Sequence, residues 1–269
     1  MVSAVSAGRD TNCISAGLMK DKTSKLSEAE IKSINVSFVS GGFETLATST
    51  LACISMLSTK EGQLIQEKAY QDILAHHGSA EAAWDECLFE EKSPYVVALA
   101  REGLRYYCPI PFLPPRQTFR DFNYHGVQIP QGLTVHVNAQ SVNHDPIAYG
   151  PDAHIFRPSR WLNEENSKEQ QPPGLPYHYS YGAGSRGCIA VAISNRVLYA
   201  TYVRLLAHFR IEASADAPPT VDYIHFNENR SVQSAVPKRF RITLHPRDNT
   251  ASYEKCIERS WEATRGFRE

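Results

Sequence analysis

The stretch Ser180-Tyr181-Gly182-Ala183-Gly184-Ser185-Arg186-Gly187-Cys188-Ile189-Ala190 offers two different chemistries. Its glycines satisfy G-x-G-x-x-G, in which backbone N–H groups cradle a dinucleotide pyrophosphate, and Cys188 follows at once as a soft ligand for a metal. A phosphate loop must leave a buried strand and needs an acidic residue about 20 positions downstream. The preceding residues, GLPYHYSY, contain no β-branched apolar run, and Tyr199 to Ala207 contain neither Asp nor Glu. The flanks therefore argue against a nucleotide. Cys188 stands just before a helical run whose N-terminal partial charge favours a thiolate, and Arg186 adds a full positive charge. Gly182, Gly184 and Gly187 would let the loop approach a large flat ligand closely, since they carry no Cβ. The plain alternative is an inert, buried cysteine.

Two further clusters carry chemistry. Glu102 and Arg105 lie at i and i+3 of a helical pattern, a spacing that by itself gives a surface ion pair of about 0.2–0.5 kcal/mol. Gly41, Gly42, Glu44 and Thr45 fall inside a long helical run, where each glycine costs about 1 kcal/mol relative to alanine. Such a pair implies that something approaches the helix closely there, with the Thr45 hydroxyl free to bond back towards the preceding turn.

The elements that must position these residues follow from periodicity and caps. Ser27 followed by Glu30 reads as a capping box opening a helix that runs to about Leu57. A second amphipathic helix covers residues 61–77, with Gly78 as its stop, and a third starts at Ser93-Pro94. From Pro109 to Pro176 prolines and glycines recur, and alternations such as LTVHVNA read as short strands. Asn163–Gly174 reads as an exposed linker. Helical spacing returns after Cys188, with Ile189, Ala192, Ile193, Val197, Ala200, Val203 and Ala207 as one apolar stripe. A final hairpin-like stretch, VPKRFRITLHP, precedes a polar tail. The fold class is mainly α with small β-sheets, an α+β arrangement.

Composition narrows the class. The 269 residues are 42% hydrophobic and 21% charged, normal for a globular chain, and a net charge of −1 gives no reason to expect nucleic acid or an anionic membrane. Six scattered cysteines form no C-x-x-C pair, so a disulfide framework or zinc site is not expected and a reducing compartment is. The most apolar run, Ile34–Leu57, is interrupted by Glu44 and seven Ser/Thr residues, which fits a buried helix rather than a membrane span. The expectation is a soluble, cytoplasmic chain with no membrane segment.

Tyr181-x-x-Gly184-x-Arg186-x-Cys188-x-Ala190 resembles the haem-binding loop of the cytochromes P-450, F-x-x-G-x-R-x-C-x-G, with Tyr181 for phenylalanine and Ala190 for the last glycine. Glu102 to Arg105 is similar to the family's E-x-x-R helix motif. Phe156, Pro158, Arg160 and Trp161 match its F-x-P-x-R-[FW] segment, and Gly41, Gly42, Glu44 and Thr45 match its oxygen-binding helix. Leu46 departs from the second Thr or Ser common there. The resemblance covers residues 25–246 and implies the C-terminal portion of that fold with the N-terminal half absent. Residues 1–24 are then a flexible N-terminal segment and residues 247–269 a polar tail.

What the resemblance implies is specific. Cys188 would be the axial thiolate of haem b, and Arg186 and Arg116 would pair with the haem propionates. Tyr181 and Gly184 would shape the loop, while Glu44 and Thr45 would manage protons and hydrogen bonds at dioxygen. Glu102, Arg105 and Arg160 would form a buried triad, and Ile110 and Phe112 would face substrate. Particular phrases resemble the fungal phenylacetate and hydroxyphenylacetate hydroxylases, which implies a small aromatic acid, with O2 and electrons from an NADPH-cytochrome P-450 reductase. A full-length relative would be anchored to the endoplasmic reticulum. The alternative is a non-catalytic remnant of such an enzyme, acting at most as an interaction protein.

Overall fold

The computed structural model describes residues 13–21, 23, 25–162, 178–247 and 250–265. The linker at Asn163–Gly174 lies outside the described residues. The chain divides into two compact units, Met1–Thr45 and Leu46–Glu269.

In the first unit, α1 (Ile14–Lys20) falls inside the stretch expected to be flexible, and the Cys13 thiol accepts from the Ala16 N–H at its start. The long helix α2 (Glu28–Leu57) contributes its N-terminal portion here. Its start is the expected capping box: the Ser27 N–H and Oγ both donate to Glu30 Oε2 at 2.7 Å, and the Glu30 N–H returns to Ser27 Oγ at 3.3 Å. Ser15 Oγ donates to Asn35 Oδ1 at 2.6 Å, which ties α1 to this portion of α2.

The second unit is built on packed helices: the last turns of α2, then α3 (Lys60–His77), α4 (Ala80–Glu86), α5 (Pro94–Tyr107) and α8 (Val191–His208). Cys53, Leu57, Ile73, Leu99, Leu104, Leu198, Tyr202 and Leu206 meet in one apolar core. The turn from α2 into α3 is tight enough that a Cβ on Gly62 would overlap the carbonyl groups of Met56 and Leu57, so only glycine fits there. Gln66, fully buried on α3, donates to the carbonyls of Leu57 at 2.7 Å and Ile211 at 2.8 Å, and accepts from the Ile211 N–H at 2.8 Å. It satisfies backbone groups that the core would otherwise strand.

The proline-rich middle forms small antiparallel pairs: β1 (Arg116–Gln117) with β4 (Thr134–Val135), and β2 (Phe122–Tyr124) with β3 (Val127–Ile129). Two one-turn helices follow, α6 (Ala139–Val142) and α7 (Pro146–Tyr149). β5 (Phe209–Ala213) pairs with β6 (Ile242–Pro246) in a register that sets Ile211 opposite Leu244.

Two expectations change, and the tail gains a helix. VPKRFRITLHP is not a hairpin in itself, because its strand pairs with β5 across the whole excursion between them. The apolar stripe of α8 is split: Ala200, Val203 and Ala207 are in the core, whereas Ile189 is 85% and Ile193 66% exposed. Tyr199 and Tyr202, which periodicity alone left out, take the buried face. Within the polar tail, Thr250–Ala263 form α9, where Cys256 is buried and Ser260 Oγ accepts from the Trp84 indole at 2.8 Å. Among the described residues no helix is long and apolar enough to cross a membrane.

Candidate functional site

The cysteine loop is held by its own backbone. A 3-10 turn over Tyr179–Tyr181 ends at Gly182, a second covers Gly184–Arg186, and the N–H of Cys188 returns to the Tyr181 carbonyl at 2.8 Å. Gly182 and Gly184 adopt φ of 71° and 72°, left-handed values that a side chain would strain. The loop lies against the segment after α5, since a Cβ on Gly182 would stand 3.9 Å from Leu113 Cδ1. α8 begins three residues beyond Cys188, with Ala190 as its N-cap.

Cys188 is the exposed cysteine of the described residues. Burial pushes the Cys53 and Cys108 thiols up to about 12, which keeps them protonated and inert. Tyr181, whose ring packs against the core, has its hydroxyl raised well above the usual phenol range by burial and then by the neighbouring Cys188. That hydroxyl donates to Asn195 Oδ1 at 2.7 Å, fastening the loop to the first turns of α8. A phenylalanine could not make this bond.

Behind the loop sits a buried knot of charge. Glu102 and Arg105 are completely buried and meet through two parallel bonds, Nε to Oε2 and Nη2 to Oε1, each 2.9 Å. Arg160 Nε reaches Glu102 Oε1 at 3.1 Å, and the Arg157 N–H and the Trp161 indole donate to the same carboxylate at 2.7 and 3.0 Å. Asp152 answers the second positive charge while also pairing with Arg157: its Oδ1 lies 3.4 Å from Arg160 Nη1 and its Oδ2 2.8 Å from Arg157 Nη2. The carbonyls of Asn143, Ala153, Ile155, Tyr149 and Asp152 take the remaining guanidinium donors. The structure therefore brings Glu102, Arg105 and Arg160 together.

Other predicted residues are placed more loosely. Arg116 and Arg186 are exposed and have no ion-pair partner among the described residues. Phe112, 57% exposed, lines a cleft of about 490 Å3 together with Leu113, His136, Gln140, Tyr223 and Arg230. Ile110 is half-buried and is not among the residues lining it. Glu44 and Thr45 belong to the first unit and Cys188 to the second. Thr45 Oγ1 bonds back to the Gly41 carbonyl at 2.8 Å, and Glu44 borders a shallow groove with Val36, Val39 and Phe43.

Sequence reasoning missed Asn143 and Asp152. Asn143 is fully buried, and its side chain and carbonyl link the knot to the cysteine loop. No periodicity signals such a residue, and the Asn-His-Asp-Pro turn around it was the only hint.

The donor set suits a porphyrin iron. Among the described residues no group of three or more His, Cys, Asp or Glu could hold a bare metal ion. A metal held by Cys188 would need to bring its other ligands with it, as a porphyrin iron does. The exposed Ile189 beside the thiol and the uncommitted guanidiniums of Arg116 and Arg186 match an apolar macrocycle with acidic substituents.

The model of the cytochrome P450 family matches residues 5–230. The chain is 35% identical to a phenylacetate 2-hydroxylase of Emericella nidulans over 263 residues, covering 97% of this chain and 49% of that protein. A 3-hydroxyphenylacetate 6-hydroxylase of the same organism is 32% identical over 92% of this chain and 45% of its own length. A cytochrome P450 monooxygenase of Mycosarcoma maydis is 31% identical, with 90% and 44% covered. The chain spans about half the length of these curated relatives.

Proposed function

The chain belongs to the cytochrome P450 family, and on that premise we propose that it forms the thiolate half of a haem monooxygenase site acting on a small aromatic acid. When bound, haem supplies the activation of dioxygen that inserts one oxygen atom into a substrate C–H bond, with reductase-derived electrons taking the other oxygen to water. The observation that carries this reading is the exposed Cys188 on a glycine-shaped loop at the head of α8.

The chain's own residues have distinct tasks in this reading. Cys188 would hold the haem iron through its thiolate, and Tyr181 and Gly184 set the loop around it. Arg186 and Arg116 hold the propionates by charge-assisted hydrogen bonds. Glu102, Arg105 and Arg160 fix the segment below the loop. Thr45 would serve as a hydrogen-bonding group and Glu44 as a proton carrier, the roles the resemblance implies for them. Phe112 faces the substrate from the cleft wall, whereas Ile110, expected beside it, lies outside that lining.

The aromatic-acid reading draws on the cleft, whose walls are largely apolar and which carries Arg230 at its edge. Arg230 donates to the Ile224 carbonyl at 3.2 Å and has no acidic partner among the described residues, so its guanidinium remains available to a carboxylate. The names of two relatives, which act on phenylacetate and 3-hydroxyphenylacetate, point to the same class.

Titration of the purified chain with haemin tests the cofactor. A stoichiometric Soret band that disappears in Cys188→Ala is expected, and an identical band in that variant overturns thiolate ligation. Ligand-observed NMR tests the substrate class: phenylacetate should bind and lose binding in Arg230→Gln, while phenylacetamide should bind weakly to both. Equal binding of acid and amide would remove the carboxylate from the proposal.

A further inference from the structure

The buried ion-pair knot and the cysteine loop are separate in sequence, and one side chain spans them. Asn143 is completely buried at the C-terminal end of α6. Its backbone carbonyl accepts from Arg105 Nη1 at 2.7 Å. Its side-chain Oδ1 accepts from the Tyr179 N–H at 2.7 Å, and its Nδ2 donates to Ser180 Oγ at 3.0 Å. Ser180 Oγ in turn donates to the carbonyl of Leu104 on α5 at 2.6 Å. The side-chain amide thus reads two consecutive loop residues, one as donor and one as acceptor, and this fixes both the position and the rotation of the backbone there. The next residue, Tyr181, presents the carbonyl that receives the Cys188 N–H.

We propose that Asn143 is the positioning residue of the cysteine loop: it transfers the rigidity of the Glu102–Arg105 pair to Tyr179 and Ser180, and through Tyr181 to the sulfur of Cys188. The proposal rests on the reading of Cys188 as the haem ligand for its functional meaning, while its structural content stands on the three bonds of Asn143. The chemistry demands an acceptor for the Tyr179 N–H, and the carboxamide adds a donor to Ser180. Leucine has the right volume but leaves the Tyr179 N–H and the Ser180 hydroxyl without this partner. Aspartate keeps the acceptor for Tyr179 and loses only the donor to Ser180, whose hydroxyl still has Leu104.

Amide hydrogen exchange on the full chain separates these cases. In Asn143→Leu the Tyr179 and Cys188 amides should exchange about tenfold faster or more, the loss expected when a buried hydrogen bond is broken, with α8 unchanged. Asn143→Asp should keep Tyr179 protection close to that of the unsubstituted chain. Should Asn143→Leu loosen the whole unit, the aspartate variant decides: retained protection of Tyr179 supports the role, and its loss overturns it. Unaltered loop exchange in Asn143→Leu also overturns it. With haemin supplied, the leucine variant should show less of the thiolate-type carbon monoxide adduct than the aspartate variant. Failure of the unsubstituted chain to take up haem would sink the proposed cofactor and leave the exchange result to judge Asn143 by itself.

Discussion

Glu102 shows how far an interaction's worth depends on its surroundings. At the surface its contact with Arg105 would be worth a few tenths of a kcal/mol, but here the carboxylate is completely buried and accepts from Arg105, Arg160, Trp161 and the Arg157 backbone. Removing its charge leaves two guanidiniums in the interior with only Asp152 and carbonyl dipoles to answer them. Glu102→Gln should therefore lower stability by about 3–5 kcal/mol, and a urea unfolding midpoint that moves by much less would show that the knot rearranges or admits water. The sequence displayed Glu102, Arg105 and Arg160 openly through their motifs. Asn143 stayed hidden because its partners Arg105, Ser180 and Tyr179 lie dozens of positions away, and Asp152 because it pairs with Arg157 and Arg160 from an irregular segment that carries no periodicity.

At the scale of elements, local rules were read well and long-range ones poorly. The capping box at Ser27 and Glu30, the Gly78 stop and the Ser93-Pro94 start appear where the sequence puts them. Each is a contact within one turn, so the information is local. The split stripe of α8 was not legible because a hydrophobic periodicity says which side chains share a face, not whether a neighbour covers them. Ile189, Ile193 and Val197 continue the pattern of Ala200 and Val203 but are exposed. The β5–β6 pairing was hidden for a related reason: its partners are joined by a long excursion, and Gln66 on α3, not a turn, sets the place of β5. α9 escaped notice because its apolar face is narrow, Tyr253 against Trp84 and Phe209 with Cys256 buried beside it, and the Trp84–Ser260 and Asp85–Arg259 pairs complete its grip on α4.

The whole molecule carries a pH dependence set by histidines that burial keeps neutral. Burial, with Arg101 and Arg105 nearby, lowers His178 from 6.5 to about 3, and burial lowers His144 to about 4. In the unfolded chain both bind a proton near pH 6.5, whereas the folded chain does not, so unfolding takes up protons between about 6.5 and the folded values. The two histidines should therefore lower stability as pH drops from about 6.5 towards their folded values. His178→Gln should flatten the slope of thermal midpoint against pH between 6 and 4, measured at constant ionic strength. An unchanged slope would mean that His178 is reached by solvent. Exposed apolar side chains occur in each unit, Val36, Val39 and Phe43 in one, Ile189 and Ile193 in the other. The relatives are about twice as long, and these surfaces are where the non-catalytic alternative predicts association with other proteins.

The excursion between β5 and β6 is pinned at its shoulders. Tyr107 holds Val221, Phe226 is buried, Asn227 bridges Pro237, and the Ala235 N–H reaches Pro109. Only the tip between these anchors is free of the core, and Arg230, Ser231, Val232 and Gln233 sit on it beside the cleft. Lengthening a flexible loop twofold costs only about 0.6 kcal/mol in closure entropy. Insertions and deletions at this tip should therefore be tolerated while the cysteine loop, its ion-pair foundation and the helical core stay constant, so that chain length can change here without reaching the rest of the unit.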